Sequence, residues 1–514
     1  MNKILNFSLF IFLFSLLLVG CRRASLPKDF VPSQVPAIIY PDYANVTVPC
    51  NIAPLRFELL QGVDEAVTRF SVADTDQEVL CEGIKACPTE DEWHGLTKAA
   101  LNRSIDVEIY ARKGAKWVRL RPFKIHVSKD SIDPWLSYRL ISPSYVAYEE
   151  LTINQRCLEN FDERVIVDNM LCTTESGGPC INCHSYQSNN PRRMQFHARQ
   201  TCGGTVIAYD DSVYKVDMKT SGVISAGVYP AWHPSLPIIA YSANKTMQTF
   251  HTTDPDKIEV IDSESDLMVY DLRSNELKAV DPQTDELETF PCWSPDGRWL
   301  YFCSAHFTYN PYRRDSVTQK ILIDARTPEQ EIVMRSRELK YNIYRLPYDP
   351  ATGRFGEREM VYDAAIEDYS ATLPRVSPDG RWLLFTVGNY GCFHIWHHDA
   401  DLFMLDLTTG QAERMQVINS TQAESFHSWS SNSRWVVFSS RRTDGVFTRP
   451  FIAHIDAKGK ATKPFELPSA NPDYHRQLLK SYNVPELMRG PVEWTPQHFA
   501  RILKTDARPA KYGL

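Results

Sequence analysis

The stretch Cys292-Trp293-Ser294-Pro295-Asp296-Gly297-Arg298-Trp299 decides the fold of this chain, because related versions of it recur along the sequence. Ser-Pro-Asp-Gly is typical of a tight turn, in which proline presets its φ and glycine takes the position with positive φ. An apolar strand follows each copy, as in residues 300–304, Leu-Tyr-Phe-Cys-Ser. The copies lie at residues 231–234, 292–299, 375–382 and 428–435. Such units bury their apolar faces against neighbouring copies, so the sequence predicts an array of β-sheets.

A second strand follows each repeat after a variable insert, most clearly at residues 266–272 and 401–407. Together the two elements resemble the repeat of TolB-type β-propellers, W-S-P-D-G-[KR]-x-[LIV]-x-[FY]-x-S followed by D-L-[FY]-x-[LMV]-D-[LV]. The turn is complete in two copies, whose glycines are expected to respond alike to substitution. The resemblance implies a β-propeller over residues 203–470. Five blades can be counted, and we expect a sixth that is closed by strands from the preceding connector.

The remaining chain completes an all-β fold class with an immunoglobulin-like β-sandwich before the propeller. Residues 35–135 show short runs that alternate between apolar and polar positions, as half-buried strands do; Ile105-Asp106-Val107-Glu108-Ile109 is one example. The sequence therefore predicts six segments: signal peptide 1–20, tether 21–34, sandwich 35–135, connector 136–202 with an irregular haem-motif insert, propeller 203–470, and a partly helical tail 471–514. Within the connector, a short helix is expected over residues 158–167.

The connector contains Cys180-Ile181-Asn182-Cys183-His184, a C-x-x-C-H motif. This spacing resembles the haem-attachment motif of c-type cytochromes, in which each cysteine forms a thioether and the histidine ligates the iron. The resemblance covers five residues and implies one covalent haem c, with Cys180 and Cys183 as attachment sites and His184 as the proximal ligand. A redox dithiol, a structural disulfide and a zinc site are the alternatives for the same residues.

A sixth, distal iron ligand is expected shortly after the motif. His197 is the first candidate and Met194 the second, because thirteen residues of chain separate His184 from His197. The alternatives are a ligand from a propeller loop, His394 or His427, and an open coordination site. The choice decides the function, since two imidazoles lower the reduction potential, a methionine raises it and an open site binds ligands.

The N-terminus predicts export and a lipid anchor. Met1-Asn2-Lys3 precedes an apolar run over residues 4–18 that ends in Leu18-Val19-Gly20-Cys21. This pattern resembles a bacterial lipoprotein signal, which implies lipidation of Cys21 and a location in the cell envelope. The run is short for a membrane span. Residues 22–28 carry no acidic cluster, which favours a protein that faces the periplasm, at the outer membrane rather than the inner one.

Composition limits the partners and the redox chemistry. The net charge of −7 and the 23% charged residues are ordinary for a globular protein. Nothing in the chain is basic enough to indicate a nucleic-acid partner. The chain has 12 cysteines, so nine remain after Cys21 and the motif pair. In an oxidising compartment Cys172 and Cys202 are placed to brace the motif, and Cys81 and Cys87 are near enough for a local bridge.

Two further patterns concern metal binding and peptidase activity. Residues 393–399, Phe-His-Ile-Trp-His-His-Asp, gather His394, His397 and His398 with Asp399 and Asp401, which suggests either a transition-metal site or a polar loop. A serine peptidase of the prolyl oligopeptidase type is unlike this chain, because the sequence has no G-x-S-x-G and little chain follows the propeller.

The sequence favours an electron-transfer or binding protein over an enzyme, leaves any turnover chemistry open, and supports two functions. The first is an exported lipoprotein with one covalent haem c that acts in electron transfer or in redox or ligand sensing. Its propeller loops would dock a protein partner of the cell envelope, and its lipid would bind the membrane. The second is a non-enzymatic, TolB-like interaction module with a structural or zinc-binding C-x-x-C-H.

Overall fold

The computed structural model describes residues 25–142, 150–173, 178–281, 283, 285–310, 312–314, 317–323 and 326–513. The expected signal peptide, residues 1–20, and the lipidation site Cys21 lie outside the described residues. No helix among the described residues is long and apolar enough to cross a membrane.

The N-terminal domain is a β-sandwich with one helix, α1 (Glu90–Ala99). Its strands are β1 (Val31–Pro36), β2 (Ile39–Tyr40), β3 (Thr47–Pro49), β4 (Phe57–Leu59), β5 (Glu65–Ser71), β6 (Glu78–Glu82), β7 (Lys85–Ala86), β8 (Arg103–Lys113), β9 (Lys116–Arg121) and β10 (Phe123–Ser128). A seven-stranded sheet has the order β1-β9-β8-β10-β3, with β5 on β8 and β6 on β5, and a smaller sheet has the order β2-β4-β7.

The expected alternation is present in β8, where Ile105, Val107 and Ile109 are buried and the residues between them are partly exposed. These side chains share one core with Phe70 and with Trp93 of α1. The same core continues into the propeller, so the sandwich packs directly against the propeller.

The propeller strands begin at residue 135. They are β11 (Trp135–Ile141), β12 (Leu151–Cys157), β13 (Glu163–Asp168), β14 (Cys180–Gln187), β15 (Asn190–Arg199), β16 (Gly204–Tyr209), β17 (Ser212–Asp217), β18 (Val228–Trp232), β19 (Ile238–Phe250), β20 (Ile258–Asp271), β21 (Glu276–Ala279), β22 (Glu286–Trp293), β23 (Trp299–His306), β24 (Tyr312–Arg314), β25 (Ile321–Ile323), β26 (Asn342–Asp349), β27 (Arg354–Phe355), β28 (Glu359–Tyr362), β29 (Ser370–Val376), β30 (Trp382–Gly388), β31 (Asp401–Asp406), β32 (Gln411–Arg414), β33 (Glu424–Trp429), β34 (Trp435–Ser440), β35 (Arg449–His454), β36 (Phe465–Glu466), β37 (Ser481–Met488), β38 (Arg508–Pro509) and β39 (Lys511–Tyr512). The later helices are α2 (Pro328–Met334), α3 (Tyr474–Gln477) and α4 (Pro496–Leu503).

Pairing of these strands forms six blades, which are numbered here in chain order. From the innermost strand outward they are β37-β11-β12-β13, β14-β15-β16-β17, β18-β19-β20-β21, β22-β23-β26-β28, β29-β30-β31-β32 and β33-β34-β35-β36. Blade one takes its innermost strand, β37, from near the C-terminus, so the beginning and the end of the propeller segment pair in one sheet. The expectation of a propeller with a sixth blade closed by connector strands is confirmed.

Three of the expected boundaries differ from the structure. The connector, residues 136–202, supplies blade one and the first two strands of blade two, so the propeller starts at 135 and not at 203. The tail, residues 471–514, is partly helical as expected, but it also supplies the closing strand β37. The helix expected over 158–167 is absent from those described residues, which enter strand β13. Blades one and two contain no copy of the turn motif, complete or partial, so the repeat pattern does not show where these blades begin.

The turn that identified the repeat has the expected conformation. In blade four Gly297 has a φ of 70°, and its N–H donates to the Ser294 carbonyl at 2.9 Å. The Ser294 hydroxyl accepts from the Trp299 N–H at 2.9 Å. In the last copy Ser433 takes the glycine position with a φ of 59°. The turn geometry therefore survives the loss of glycine.

Candidate functional site

Each of the six innermost strands contains a β-bulge at the same place. In every blade two residues of the innermost strand oppose one residue of the second strand. The first bulge residue has a φ between 46° and 55°, which is uncommon outside glycine and costs about 1–3 kcal/mol. These residues are Cys183, Tyr229, Phe290, Leu373, Phe426 and Val484. Bulges re-aim side chains, and here all six bulge residues line one central cavity.

The cavity has a volume of about 350 Å³ and lies along the propeller axis. Its walls are largely aromatic: they include Tyr229, Phe290 and Phe426 from the bulges, together with Phe393 and Trp396 from the loop after β30. This volume is within the range of pockets that hold drug-sized molecules and cofactors.

A long hairpin of blade three covers part of this cavity. Strands β19 and β20 pair over their whole length, and Thr246, Gln248 and Val260 of the hairpin line the cavity. Glu259 of the hairpin anchors it on blade five, because its carboxylate meets His397 Nε2 at 3.1 Å and accepts from the Tyr390 hydroxyl at 2.9 Å. The covered end is the one at which the innermost strands begin.

The structure brings Cys180, Cys183 and His184 to this cavity. Cys183 is the bulge residue of blade two, and His184 follows it. Four other blades place proline after the bulge residue, and blade six places His427 there. The motif therefore lies on a regular blade strand, and the expectation of an irregular insert is wrong.

His184 has the properties of a ligand that lacks its partner. Its side chain is 1% exposed, and neither Nδ1 nor Nε2 makes a hydrogen bond of normal geometry; the backbones of Ser137 and Val484 are its nearest polar contacts and raise its pKa only weakly against burial. Burial, helped by the nearby Arg139 guanidinium, lowers the pKa of His184 to about 3, so the imidazole is neutral at pH 7. A buried polar group without a partner is costly, and a neutral imidazole is the form that binds iron.

The two cysteines differ in their surroundings. Cys180 is half-buried at the start of β14, whereas Cys183 contacts the side of the cavity formed by Tyr229. Burial raises the pKa of the Cys183 thiol. The ligand atoms of these cysteines and His184 do not lie within 4.8 Å of one another; among the described residues the group that does is Asp256, His398 and Asp399. Zinc needs ligands that converge on one point, whereas haem c takes its two thioethers at separate carbons.

The candidates for the distal ligand lie elsewhere. His197, on β15, makes a hydrogen bond from Nδ1 to Thr205 Oγ1 at 3.1 Å, and Met194 is fully buried in a cluster with Ile181 and Phe196. Both side chains belong to the packing between blades. The structure does not place His197 or Met194 at the cavity that His184 lines, because the hairpin after Gln187 returns the chain in the second strand rather than across the cavity.

The two remote candidates are also engaged. His394 is buried, with Nδ1 at 2.9 Å from Thr372 Oγ1 and Nε2 at 3.2 Å from the Tyr390 carbonyl. His427 Nε2 donates to the Leu384 carbonyl at 3.0 Å. His184 is the one histidine among the described residues that line the central cavity.

The structure does not bring the five residues of the histidine-rich loop to one point; of the five, only His398 and Asp399 lie together, beside Asp256. His397 pairs with Glu259, His398 Nδ1 lies 3.0 Å from Asp256, and Asp401 pairs with Arg414 at 2.6 Å. The loop therefore holds the covering hairpin in place. The Asp256 carboxylate already bonds the backbone and ring of His398.

Sequence reasoning missed the cations of the cavity. Arg139, Arg199, Arg375 and Arg441 line it and come from four different blades. Alignment of the innermost strands on their bulge dipeptides would have revealed Arg375, which follows Leu373-Pro374 in blade five. The other three arginines have no such local signal.

Comparisons with known proteins identify no family. No family model matches this sequence, and no curated protein matches it. Among solved structures, prolyl oligopeptidase B from Galerina marginata gives a TM-score of 0.35 at 8% identity over 70% of this chain and 42% of that chain, so this chain spans under half of it. A DUF4784 family protein from Bacteroides caccae gives 0.27 at 8% identity, over 74% and 95%. The β-propeller domain of Cps50 from Myceliophteria thermophila gives 0.29 at 9% identity, over 66% and 90%.

Proposed function

We propose that this protein is a lipid-anchored protein of the bacterial cell envelope that binds one covalent c-type haem in the central cavity of its propeller. One observation carries the proposal: Cys180, Cys183 and the unpaired His184 line the same cavity. When bound, haem supplies an iron that accepts and releases one electron and binds small ligands.

The residues of the chain fit this group. His184 presents a neutral imidazole to the iron, and the two thiols are available for thioethers. The aromatic side chains Tyr229, Phe290 and Phe426 form apolar walls, and the hairpin of blade three covers part of the cavity.

The surroundings favour redox or ligand sensing over simple electron shuttling. Among the described residues that line the cavity, neither a second histidine nor a methionine is present. A haem held by His184 alone keeps an open position, which permits ligand binding. The TolB-like repeat and Cys21 support a periplasm-facing lipoprotein at the outer membrane, with a protein partner of the envelope at the propeller loops.

A second candidate is an interaction module of the TolB-like type, without haem. It is favoured by the regularity of the bulges: Cys183-His184 occupies positions filled by Phe426-His427 in blade six, where the histidine is structural. In that case the motif is an ordinary part of the blade.

Expression of the full chain in a host with haem-c maturation machinery separates the candidates. We expect a Soret band, sharp α and β bands on reduction, and haem that survives acid-acetone extraction and denaturing electrophoresis. Cys180→Ser or Cys183→Ser should leave a single thioether and shift the pyridine haemochrome α band.

Cys303→Ser is the matched control, because Cys303 is a buried cysteine in the core of blade four and does not line the cavity. It should keep the wild-type spectrum. Colourless wild-type protein with a cooperative melt would reject the haem and leave the interaction module.

A further inference from the structure

We propose that Arg375 and Arg441 form a carboxylate-binding site on the side of the cavity that faces the C-x-x-C-H strand, and that in the haem-bearing protein they bind the haem propionates. The identity of the propionates rests on the function proposed above, whereas the affinity for carboxylates does not.

The cavity has an excess of positive charge. Arg139, Arg199 and Arg375 make no ion pair with a carboxylate among the described residues. Glu486 is the one carboxyl group among the described lining residues, and burial raises its pKa to about 7, an effect that Arg375 opposes. A cavity lined by charges of one sign concentrates ligands of the opposite sign.

Buried polar atoms also indicate a ligand. His184 and Asn182 are 1% and 8% exposed, both line the cavity, and both have an atom without a hydrogen-bond partner: the two ring nitrogens and Oδ1. Buried polar groups of folded proteins are normally paired. The cavity therefore presents donors and acceptors that the protein itself does not satisfy.

The arrangement of the blades selects two of the four arginines. Arg199 belongs to blade two, which also carries the cysteines, and Arg139 belongs to the neighbouring blade one. In a ring of six, blade five lies opposite blade two, and blade six is its neighbour. Arg375 is on β29 of blade five, and Arg441 follows β34 of blade six with its guanidinium 4.2 Å from the Trp396 ring centroid.

The chemistry of the porphyrin matches this separation. The carbons that form thioethers and the carbons that carry propionates are at opposite edges of the macrocycle. Attachment to Cys180 and Cys183 on blade two directs the propionates away from that blade and toward blades five and six. Guanidinium groups bind carboxylates there with paired, charge-assisted hydrogen bonds.

The test uses full-length apoprotein from a host without haem-c maturation machinery. Ferric protoporphyrin and its dimethyl ester are titrated into it and followed by Soret absorbance. We expect the free acid to bind at least tenfold tighter than the ester. Arg375→Gln and Arg441→Gln should each reduce that ratio. The matched control is Arg193→Gln, because Arg193 belongs to blade two, pairs with Asp210 and does not line the cavity; it should leave the ratio unchanged. A melt followed by circular dichroism verifies folding; if Arg375→Gln does not fold, Arg375→Lys keeps the charge and removes the paired geometry.

The outcomes separate this site from the proposed function. Equal affinities for acid and ester, or a ratio unaffected by Arg375 and Arg441 variants, would overturn the carboxylate site while leaving haem in place. If neither porphyrin enters the folded apoprotein, succinate is titrated by calorimetry instead, and the haem function is decided by the expression experiment above. Succinate binding that Arg375→Gln weakens at least tenfold supports a carboxylate site for a free ligand, and no succinate binding overturns it.

Discussion

Gly297→Ala should destabilise the protein by about 3–4 kcal/mol, whereas Gly380→Ala in the equivalent turn of the next blade should cost about 1 kcal/mol. Both glycines have positive φ, 70° and 75°, so both variants carry the same backbone strain. Their surroundings differ. A Cβ on Gly297 would lie 2.4 Å from Cε1 and Nε2 of His233, and a Cβ on Gly380 would lie 3.4 Å from its nearest neighbour, Pro295.

The His233 ring has little freedom to move. Its Nε2 donates to the Gly297 carbonyl at 3.1 Å, and its Nδ1 accepts from the N–H groups of Ser235 and Leu236 at 3.2 and 3.0 Å. The ring also packs against Trp293 at 4.8 Å. Displacing it breaks up to three hydrogen bonds worth about 0.5–1.5 kcal/mol each, which adds about 2–3 kcal/mol to the strain of roughly 1 kcal/mol.

Urea denaturation followed by tryptophan fluorescence measures both losses. In a His233→Ala background the clash is absent, and Gly297→Ala should then cost about as much as Gly380→Ala. Equal losses for the two glycines in the wild-type background would refute the reasoning. That result is also what the sequence alone predicts, since it treats the two turns as alike.

Three further outcomes are expected. Cys21→Ser should release the protein from the membrane fraction, and retention there would contradict a lipid anchor. Met194→Ala should lower the stability by about 2–5 kcal/mol, as for other fully buried side chains, and leave the haem spectrum unchanged; a changed spin state would restore Met194 as a ligand. Burial lowers the pKa of His427 to about 3, so the folded state stays neutral while the unfolded state binds a proton below pH 6.5, and stability is lost as the pH falls. His427→Gln should flatten that loss by up to about 1.4 kcal/mol per pH unit between pH 6 and 4, and unchanged slopes in urea titrations would contradict the assignment.

Much of the propeller was predictable because its signals are local. The Ser-Pro-Asp-Gly turn and the apolar strand after it lie within a dozen residues, and both have the expected structure in blades four and five. Blade two turns instead at Ser188-Asn189, where both residues have positive φ, a hairpin signal that the repeat pattern does not contain. Strand β37 was assigned to a helical tail because its pairing partner β11 is more than 300 residues earlier in the chain.

In the candidate site, too, the residues with a local sequence signal were predictable and the others were not. Five consecutive residues identified Cys180, Cys183 and His184, and the structure places all three at one cavity. The spacing along the chain suggests His197 and Met194 as distal ligands, but it does not show which way their side chains face. On a strand, alternation of residues decides that. Arg375 and Arg441 could not be associated with the motif, since only ring closure brings blades five and six opposite it.

Closure of the ring by β37 also fixes an order of events in biogenesis. A chain that emerges from a translocation channel N-terminus first exposes β14 long before β37, and β11 has no inner partner until the last tenth of the chain has followed. Until then the strand that carries Cys180 and Cys183 faces an open groove. In the function proposed above, an enzyme that attaches a large planar group to those thiols would reach them during this interval.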